Sequence, residues 1–256
     1  MAEPSTVELE IKNDIATMTI TGPRRLNCLG SRALDDVIRI GEDLRMNKTV
    51  RLVILTGHGD KAFVGGADIA EMAQFTPVRS REFITKVHQA NHMFRIMPVP
   101  SIARINGYCL GAGMEMAAAC DMRVASDDSQ FAMPEVQLGL PSVVETTLFA
   151  GLIGWGKTRE ICYRGTMFSA QEMDRMGFLN AIAPKARLDE AMQPIIKDIL
   201  DADPRAIRMQ KRLHETWIDS GVGAGIIASI DMLAESNQED TPVRLLNEYL
   251  ERRKKT

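Results

Sequence analysis

Strand-like and helix-like patterns alternate along the first 140 residues of the chain, and mostly helical patterns follow, with one last apolar piece at "LNAIA". Two short strands are predicted at "VELEI" and "IATMTI", with a turn at Asn13-Asp14 between them. "VRLVILTG", "SIARINGY" and "DMRVAS" are further strand candidates. The stretch 80–97 is predicted to be a helix, because its apolar residues repeat on one face. These residues are Phe83, Val87, Ala90, Phe94 and Met97. The alternation predicts an α/β core.

The C-terminal part has a different pattern. "SAQEMDRMG" begins with a capping box of Ser169 and Glu172, which is typical of a short helix. Residues 186–252 then contain helical stretches interrupted by proline and glycine. We therefore expect an α/β core over residues 1–185 and a helical region over residues 186–256.

Composition excludes several functional classes. The 256 residues carry a net charge of -3, which argues against a broad surface for nucleic acid or for an anionic membrane. The N-terminal "MAEPSTVELE" lacks the features of a signal peptide, and no apolar run reaches the roughly 18 residues that span a bilayer. We therefore expect a cytoplasmic protein. The four cysteines form no C-x-x-C pair, so we expect neither disulfides nor a zinc cluster.

Two local motifs have alternative interpretations. "GLIGWGKT" matches the phosphate-binding pattern G-x-x-x-x-G-K-[ST], but the preceding "SVVETTLFA" is polar in its middle and is a poor buried strand. We interpret it as a turn between helices and keep nucleotide binding as the alternative. "HQANH" places His88 and His92 at the spacing of a helical zinc site, yet a third ligand is missing. These histidines are interpreted as polar residues beside the buried helical face.

Glycine-rich segments directly follow two of the predicted strands. They are "KAFVGGADI" and "NGYCLGAGMEM", and in the second a helix is expected to begin near Ala112 or Gly113. The first N–H groups of such a helix lack intrahelical partners and lie at the positive end of its dipole. Two such segments brought together would form an oxyanion hole, although a tight turn explains either segment alone.

Two carboxylates lie in apolar surroundings. Glu115 is in "GYCLGAGMEMAAACD", and Glu135 follows a proline in "FAMPEVQLGLPS". A buried carboxylate costs several kcal/mol unless it is paired, hydrogen-bonded or protonated. Glu115 is therefore either turned outward by its helix or used in chemistry, and Glu135 alone would be interpreted as a surface turn residue.

Together, these motifs resemble the enoyl-CoA hydratase/isomerase, or crotonase, family. The resemblance rests on "KAFVGGADI", "INGYCLGAGMEMAAACDMRVAS", "FAMPEVQLGL" and "SAQEMDRMGFLNAIA" in this order, and extends from about residue 7 to 253. It implies a crotonase-like spiral of ββα units with a helical C-terminal oligomerisation region, assembled as a homotrimer or homohexamer. It also implies an acyl-CoA thioester substrate and no separate cofactor, because coenzyme A is part of the substrate.

The resemblance assigns roles to individual residues. The backbone N–H groups of Ala67 and Ala112 match the positions that bind the thioester oxygen, and Glu115 and Glu135 match the two catalytic glutamates. No metal is implied. The positions that match coenzyme A contacts are Arg24, Arg25, Leu26, Lys61 and Ala62.

The expected function is hydration of 2-enoyl-CoA thioesters in fatty-acid or related acyl-CoA breakdown. Isomerase, decarboxylase and thioesterase activities of the same family remain alternatives, as does a non-catalytic scaffold. One segment departs from the family pattern: "LPSVVETTLF" stands where a glycine-rich loop and a Gln-Arg pair are common. This departure leaves the acyl preference open and makes Glu145 a further carboxylate that can enter the site.

Overall fold

The protein is known from a computed structural model, which describes residues 4–22 and 26–254. The strands are β1 (Thr6–Lys12), β2 (Ile15–Thr21), β3 (Leu52–Gly57), β4 (Ala62–Val64), β5 (Ser101–Ile105), β6 (Tyr108–Leu110), β7 (Met122–Ser126), β8 (Gln130–Ala132), β9 (Phe168–Ser169) and β10 (Ala181–Ala183). The α-helices are α1 (Ser31–Met46), α2 (Ile69–Met72), α3 (Pro77–Ile96), α4 (Ala112–Ala119), α5 (Phe149–Arg164), α6 (Ala170–Met176), α7 (Leu188–Asp201), α8 (Pro204–Asp219), α9 (Val222–Ser236) and α10 (Thr241–Lys254).

The described strands form two sheets that the chain visits in turn. One sheet has the order β1-β2-β3-β5-β7-β10 and the other has the order β4-β6-β8-β9. In each of the pairs β3–β4, β5–β6 and β7–β8, the first strand belongs to the larger sheet and the second strand to the smaller one. Neighbouring turns of the chain pair in parallel, as β3 does with β5 and β4 with β6. The predicted spiral of ββα units is confirmed.

Most of the predicted elements are present. The hairpin of β1 and β2 turns at Asn13 and Asp14, both of which have positive φ, as a two-residue hairpin turn requires. The apolar face predicted for 80–97 is the buried face of α3. The capping box of Ser169 and Glu172 begins α6.

The predicted strand "SIARINGY" is two strands, β5 and β6, that belong to different sheets. The chain passes between the sheets at Asn106 and Gly107. The Asn106 amide donates a 2.8 Å hydrogen bond to the Gly57 carbonyl, and a Cβ on Gly107 would lie 2.2 Å from the Lys61 carbonyl oxygen. A close crossing of two backbones therefore requires glycine here.

By compactness the chain divides into two units, one ending at Asp201 and one beginning at Ala202. Helix α7 groups with the first unit and covers one face of the larger sheet. The predicted boundary between residues 185 and 186 stays a prediction. The apolar residues between α7 and the sheet are Leu52, Ile54, Ile102, Val124, Leu188, Met192 and Ile196.

The second unit consists of α8, α9 and α10. Helices α8 and α9 are joined by an ion pair of Arg212 and Glu235 at 2.7 Å and by a hydrogen bond from the Trp217 indole to Ser229 at 3.0 Å. Across both units, no helix in the described ranges has the length and apolar character needed to cross a membrane.

Candidate active site

A cavity of about 250 Å³ lies in the first unit where both glycine-rich segments meet. Side chains of α2 and α3 form its apolar walls. The beginning of α4 and the segment after β8 contribute the polar groups. The cavity is lined by Gly65, Gly66, Ala67, Ile69, Met72, Phe75, Ser80, Phe83, Ile84, Val87, Leu110, Gly111, Ala112, Glu115, Pro134, Glu135, Leu138, Leu140, Pro141 and Val143.

Ala67 and Ala112, whose backbone N–H groups are the predicted oxyanion donors, both line this cavity. Ala67 follows β4 in a bridge with Leu29, and the hydrogen bonds of that bridge are made by the N–H groups of Leu29 and Asp68. Ala112 is the first residue of α4, where an N–H has no intrahelical partner. Within the part of the chain that the structure describes, neither N–H donates a hydrogen bond. Both are available to an oxygen atom of a ligand.

Gly111 brings Glu135 against the beginning of α4. Its φ is 48°, and a Cβ on this residue would lie 2.5 Å from Glu135 Oε1. The absence of a side chain therefore provides both the backbone conformation and the space. As a result, Glu135 lies at the N-terminus of the helix that carries Glu115.

Glu115 is buried, with 3% of its surface exposed, and faces the cavity. The Thr146 hydroxyl donates a 2.7 Å hydrogen bond to Glu115 Oε1. Burial, together with the negative charges of Glu135 and Glu145, raises the pKa of Glu115 to about 8. The hydrogen bonds from Thr146 and Val143 oppose this rise. The alternative that the helix turns Glu115 outward is therefore wrong.

Glu135 is half-buried on a short 3₁₀ helix, Pro134–Leu138. Its Oε2 accepts a 3.1 Å hydrogen bond from the Ser142 hydroxyl. Burial raises the pKa of Glu135, while its own backbone N–H and the Ser142 hydroxyl oppose the shift. Two carboxyls with raised pKa values in one cavity are typical of sites that exchange protons near neutral pH.

Glu145 does not line the cavity among the described residues. It is buried behind Glu115, where His88 Nδ1 lies 2.6 Å from Oε1 and the Asn91 amide donates to Oε2 at 3.0 Å. The expectation that Glu145 enters the site is therefore wrong, because α3 holds both of its oxygens. His88 contacts a carboxylate instead of a metal. No local pattern predicts this cluster, since Glu145 and His88 are 57 residues apart.

The predicted coenzyme A contacts lie in different surroundings. Arg24 and Arg25 lie outside the described residues. Leu26 is beside the cavity, because its carbonyl accepts a 2.8 Å hydrogen bond from Gly65. Lys61 is exposed and Ala62 is buried in β4, and neither lines the cavity in the described part of the chain. Their roles stay predictions.

"GLIGWGKT" lies within α5, which bends at Gly154 with φ 74° and ψ 157°. The element before α5 is a 3₁₀ helix, Val144–Leu148, and not a strand. Lys157 is paired with Glu160 at 2.8 Å on the surface. The predicted turn between helices is therefore confined to the bend at Gly154, and the segment lacks the strand that a phosphate-binding loop follows.

A family model described as "Enoyl-CoA hydratase/isomerase" matches residues 10–256. The chain belongs to this family. Similar proteins include the short-chain-enoyl-CoA hydratase of Clostridium acetobutylicum, 28% identical over 98% of this chain and 97% of that protein. The crotonyl-CoA hydratase of Syntrophomonas wolfei is 29% identical over 96% of this chain and 95% of that protein.

Solved structures of the family have the same fold. The enoyl-CoA hydratase of Bacillus anthracis superposes with a TM-score of 0.91 at 26% identity and covers 96% of each chain. A second structure, the enoyl-CoA hydratase from Mycobacterium smegmatis, has a TM-score of 0.93 over 98% of this chain and 97% of that chain. The predicted family and the crotonase-like fold with its helical C-terminal part are confirmed.

Proposed function

We propose that this protein is an enoyl-CoA hydratase, which adds water across the double bond of 2-enoyl-CoA thioesters. The observation that carries the proposal is that Glu115, Glu135, Ala67 and Ala112 all line one cavity. The similar proteins from Clostridium and Syntrophomonas, named as hydratases of short-chain enoyl-CoA and crotonyl-CoA, support it.

The two N–H groups are proposed to form the oxyanion hole. Addition of water to the double bond moves negative charge onto the thioester oxygen, and two fixed N–H donors in a cavity shielded from water stabilise this enolate-like state. Removal of one such donor in other enzymes costs about 3 kcal/mol of transition-state stabilisation. Ala67 and Ala112 fit this role because both residues line the cavity and neither N–H has a partner in the described part of the chain.

The two glutamates are proposed to divide the proton transfers. Glu115 in its ionised form takes a proton from water as the hydroxyl oxygen bonds to C3. Glu135 in its protonated form donates a proton to C2, so the product gains the elements of one water. The raised pKa values of both carboxyls favour proton exchange near neutral pH.

We also propose how coenzyme A is bound and how copies of the chain assemble. Coenzyme A is held by Arg24, Arg25, Leu26, Lys61 and Ala62 as part of the substrate. The reaction as proposed uses no metal or redox cofactor. The protein acts in the cytoplasm as a homotrimer or homohexamer, without nucleic acid or membrane partners.

The test is hydration of crotonyl-CoA, followed by the loss of its enoyl-thioester absorbance. Glu115→Gln and Glu135→Gln keep the size of the side chain but remove proton transfer, so each is expected to lower kcat far more than it raises KM. The double variant is expected to lose much less than the product of the two single losses, because the glutamates act as one unit. Lys157→Ala, which changes an exposed residue outside the cavity, is the control. It is expected to hydrate crotonyl-CoA at the parental rate.

Three other results would contradict the proposal. If Glu115→Gln retained double-bond migration while Glu135→Gln abolished it, the enzyme would be an isomerase with one essential base. If both single variants hydrated crotonyl-CoA like the parent, neither glutamate would take part in the reaction. Tight ATP binding that Lys157→Ala abolishes would favour the nucleotide-binding alternative instead.

A further inference from the structure

The segment Ser142–Thr146 contacts both glutamates of the cavity. At one end the Ser142 hydroxyl donates to Glu135, and at the other the Thr146 hydroxyl donates to Glu115. This is the segment in which the sequence departs from the common pattern of the family. Its geometry therefore sets how both carboxyls are held.

The segment has an unfavourable backbone conformation. Val144 has a φ of 37°, which is costly for a β-branched residue and persists only where surrounding contacts compensate for it. Glu145, the next residue, provides such contacts through His88 Nδ1 at 2.6 Å and the Asn91 amide at 3.0 Å. Both partners belong to α3, a 20-residue helix of the core. A buried carboxylate with two partners is thus the anchor of a strained segment.

We propose that Glu145 and Thr146 are positioning residues for Glu115. Glu145 fixes the segment to α3, and Thr146 thereby holds Glu115 Oε1 in one orientation. This inference rests on the proposed function of Glu115. It gives Glu145 and Thr146, together with the Glu145 partners His88 and Asn91, a role in the hydration reaction.

Glu145 also acts on Glu115 through its charge. The titratable groups around Glu115 are Glu135 on the 3₁₀ helix Pro134–Leu138, Glu145 with its partner His88, and Cys162 on α5. Burial is the largest cause of the raised pKa of Glu115, and the negative charge of Glu145 adds to it. Removal of that charge lowers the pKa of Glu115, so the ionised base forms at lower pH.

The first test removes the hydroxyl of Thr146. Thr146→Val keeps the branched shape and is expected to lower kcat about tenfold or more with little change in KM, because a hydrogen bond to a charged group is lost. Thr146→Ser retains a hydroxyl and is expected to recover most of the activity. Thr147→Val changes the exposed neighbour in the same 3₁₀ helix and is the matched control. Parental kcat in a folded Thr146→Val variant would overturn the role of Thr146.

The second test concerns Glu145. In Glu145→Gln, the acidic limb of the kcat/KM profile is expected to move to lower pH. In Glu145→Asp, which keeps the charge but shortens the reach to His88 and Asn91, kcat is expected to fall while the limb stays in place. A uniform loss of activity at every pH in Glu145→Gln would mean a purely structural role and would overturn the inference.

Failure of this inference can be distinguished from failure of the proposed function. Circular dichroism and thermal melting show whether each variant is folded. If Glu145→Gln does not fold, Glu145→Asp and Thr146→Val still test the inference. Parental kcat in both of these variants would contradict it. A parent protein that does not hydrate crotonyl-CoA would refute the proposed function itself, and hydration that survives Glu115→Gln would refute the proposed role of Glu115, whatever the Glu145 variants do.

Discussion

At Gly111 the backbone has a φ of 48°, and Glu135 Oε1 occupies the position next to the missing Cβ. This one residue allows a carboxylate on one element to approach the beginning of the helix that carries the other carboxylate. The approach has an electrostatic cost, since burial raises the pKa of Glu115 and the charge of Glu135 adds to that rise. It also has a use, because groups with shifted pKa values in one cavity can serve as base and acid at the same pH.

We predict that Gly111→Ala lowers kcat for crotonyl-CoA hydration about tenfold to a hundredfold, because a displaced catalytic group loses its alignment with the reacting atoms. The variant is also expected to lose ~1–3 kcal/mol of folding stability through backbone strain. Gly177→Ala is the matched control. Gly177 has a φ of 87° at the end of α6, and its nearest contact for an added Cβ is 3.6 Å away. It should lose stability but keep its kcat, and an equal loss of kcat in both variants would contradict the role of Gly111.

At the scale of elements, α4 is a short helix whose residues are all buried. Small residues allow this, since a Cβ on Gly113 would lie 2.4 Å from the Val64 carbonyl oxygen. The helix therefore packs directly on β4, and its first residue, Ala112, lines the cavity. The buried position makes the N-terminal dipole effective, because little solvent screens it.

We predict that Ala112→Pro folds and loses kcat roughly a hundredfold or more, because it removes one proposed oxyanion donor. Proline is accepted at the first position of a helix, where the N–H has no intrahelical partner, and this chain already has proline there in α3 and α8. Ala112→Gly is the control, since it changes the side chain but keeps the N–H, and it should retain near-parental kcat. Full activity in a folded Ala112→Pro variant would remove Ala112 from the mechanism.

The elements differ in how far the sequence predicted them. The beginning of α4 at Ala112 and the capping box of α6 were predicted, because glycine and capping residues are local signals. The smaller sheet was not predicted, since strands of two or three residues are too short to show a period. The cluster of Glu145, His88 and Asn91 was also missed, because only the folded chain brings these residues together.

At the scale of the molecule, the spiral brings the two glycine-rich segments and both glutamates to one cavity in the first unit. The second unit has a different character. Helix α9 exposes large apolar residues at intervals of four, four and three positions, which places them on one face. Exposed apolar faces of this kind are typical of protein–protein interfaces. The residues on this face are Val222, Ile226, Ile230 and Leu233, and Ile227 of the same helix is exposed as well.

We predict that this face joins copies of the chain, so that the parent sediments as a trimer or hexamer in analytical ultracentrifugation. Ile230 has 64% of its surface exposed, and Ile230→Glu would place a charge without a partner in the interface. Burying such a charge costs several kcal/mol, so the variant is expected to dissociate into smaller species while its helical circular dichroism is retained. Met46→Glu is the control, because Met46 on α1 is 81% exposed and the same charge is added away from α9. A monomeric parent, or an Ile230→Glu variant that sediments like the parent, would exclude α9 as the joining surface.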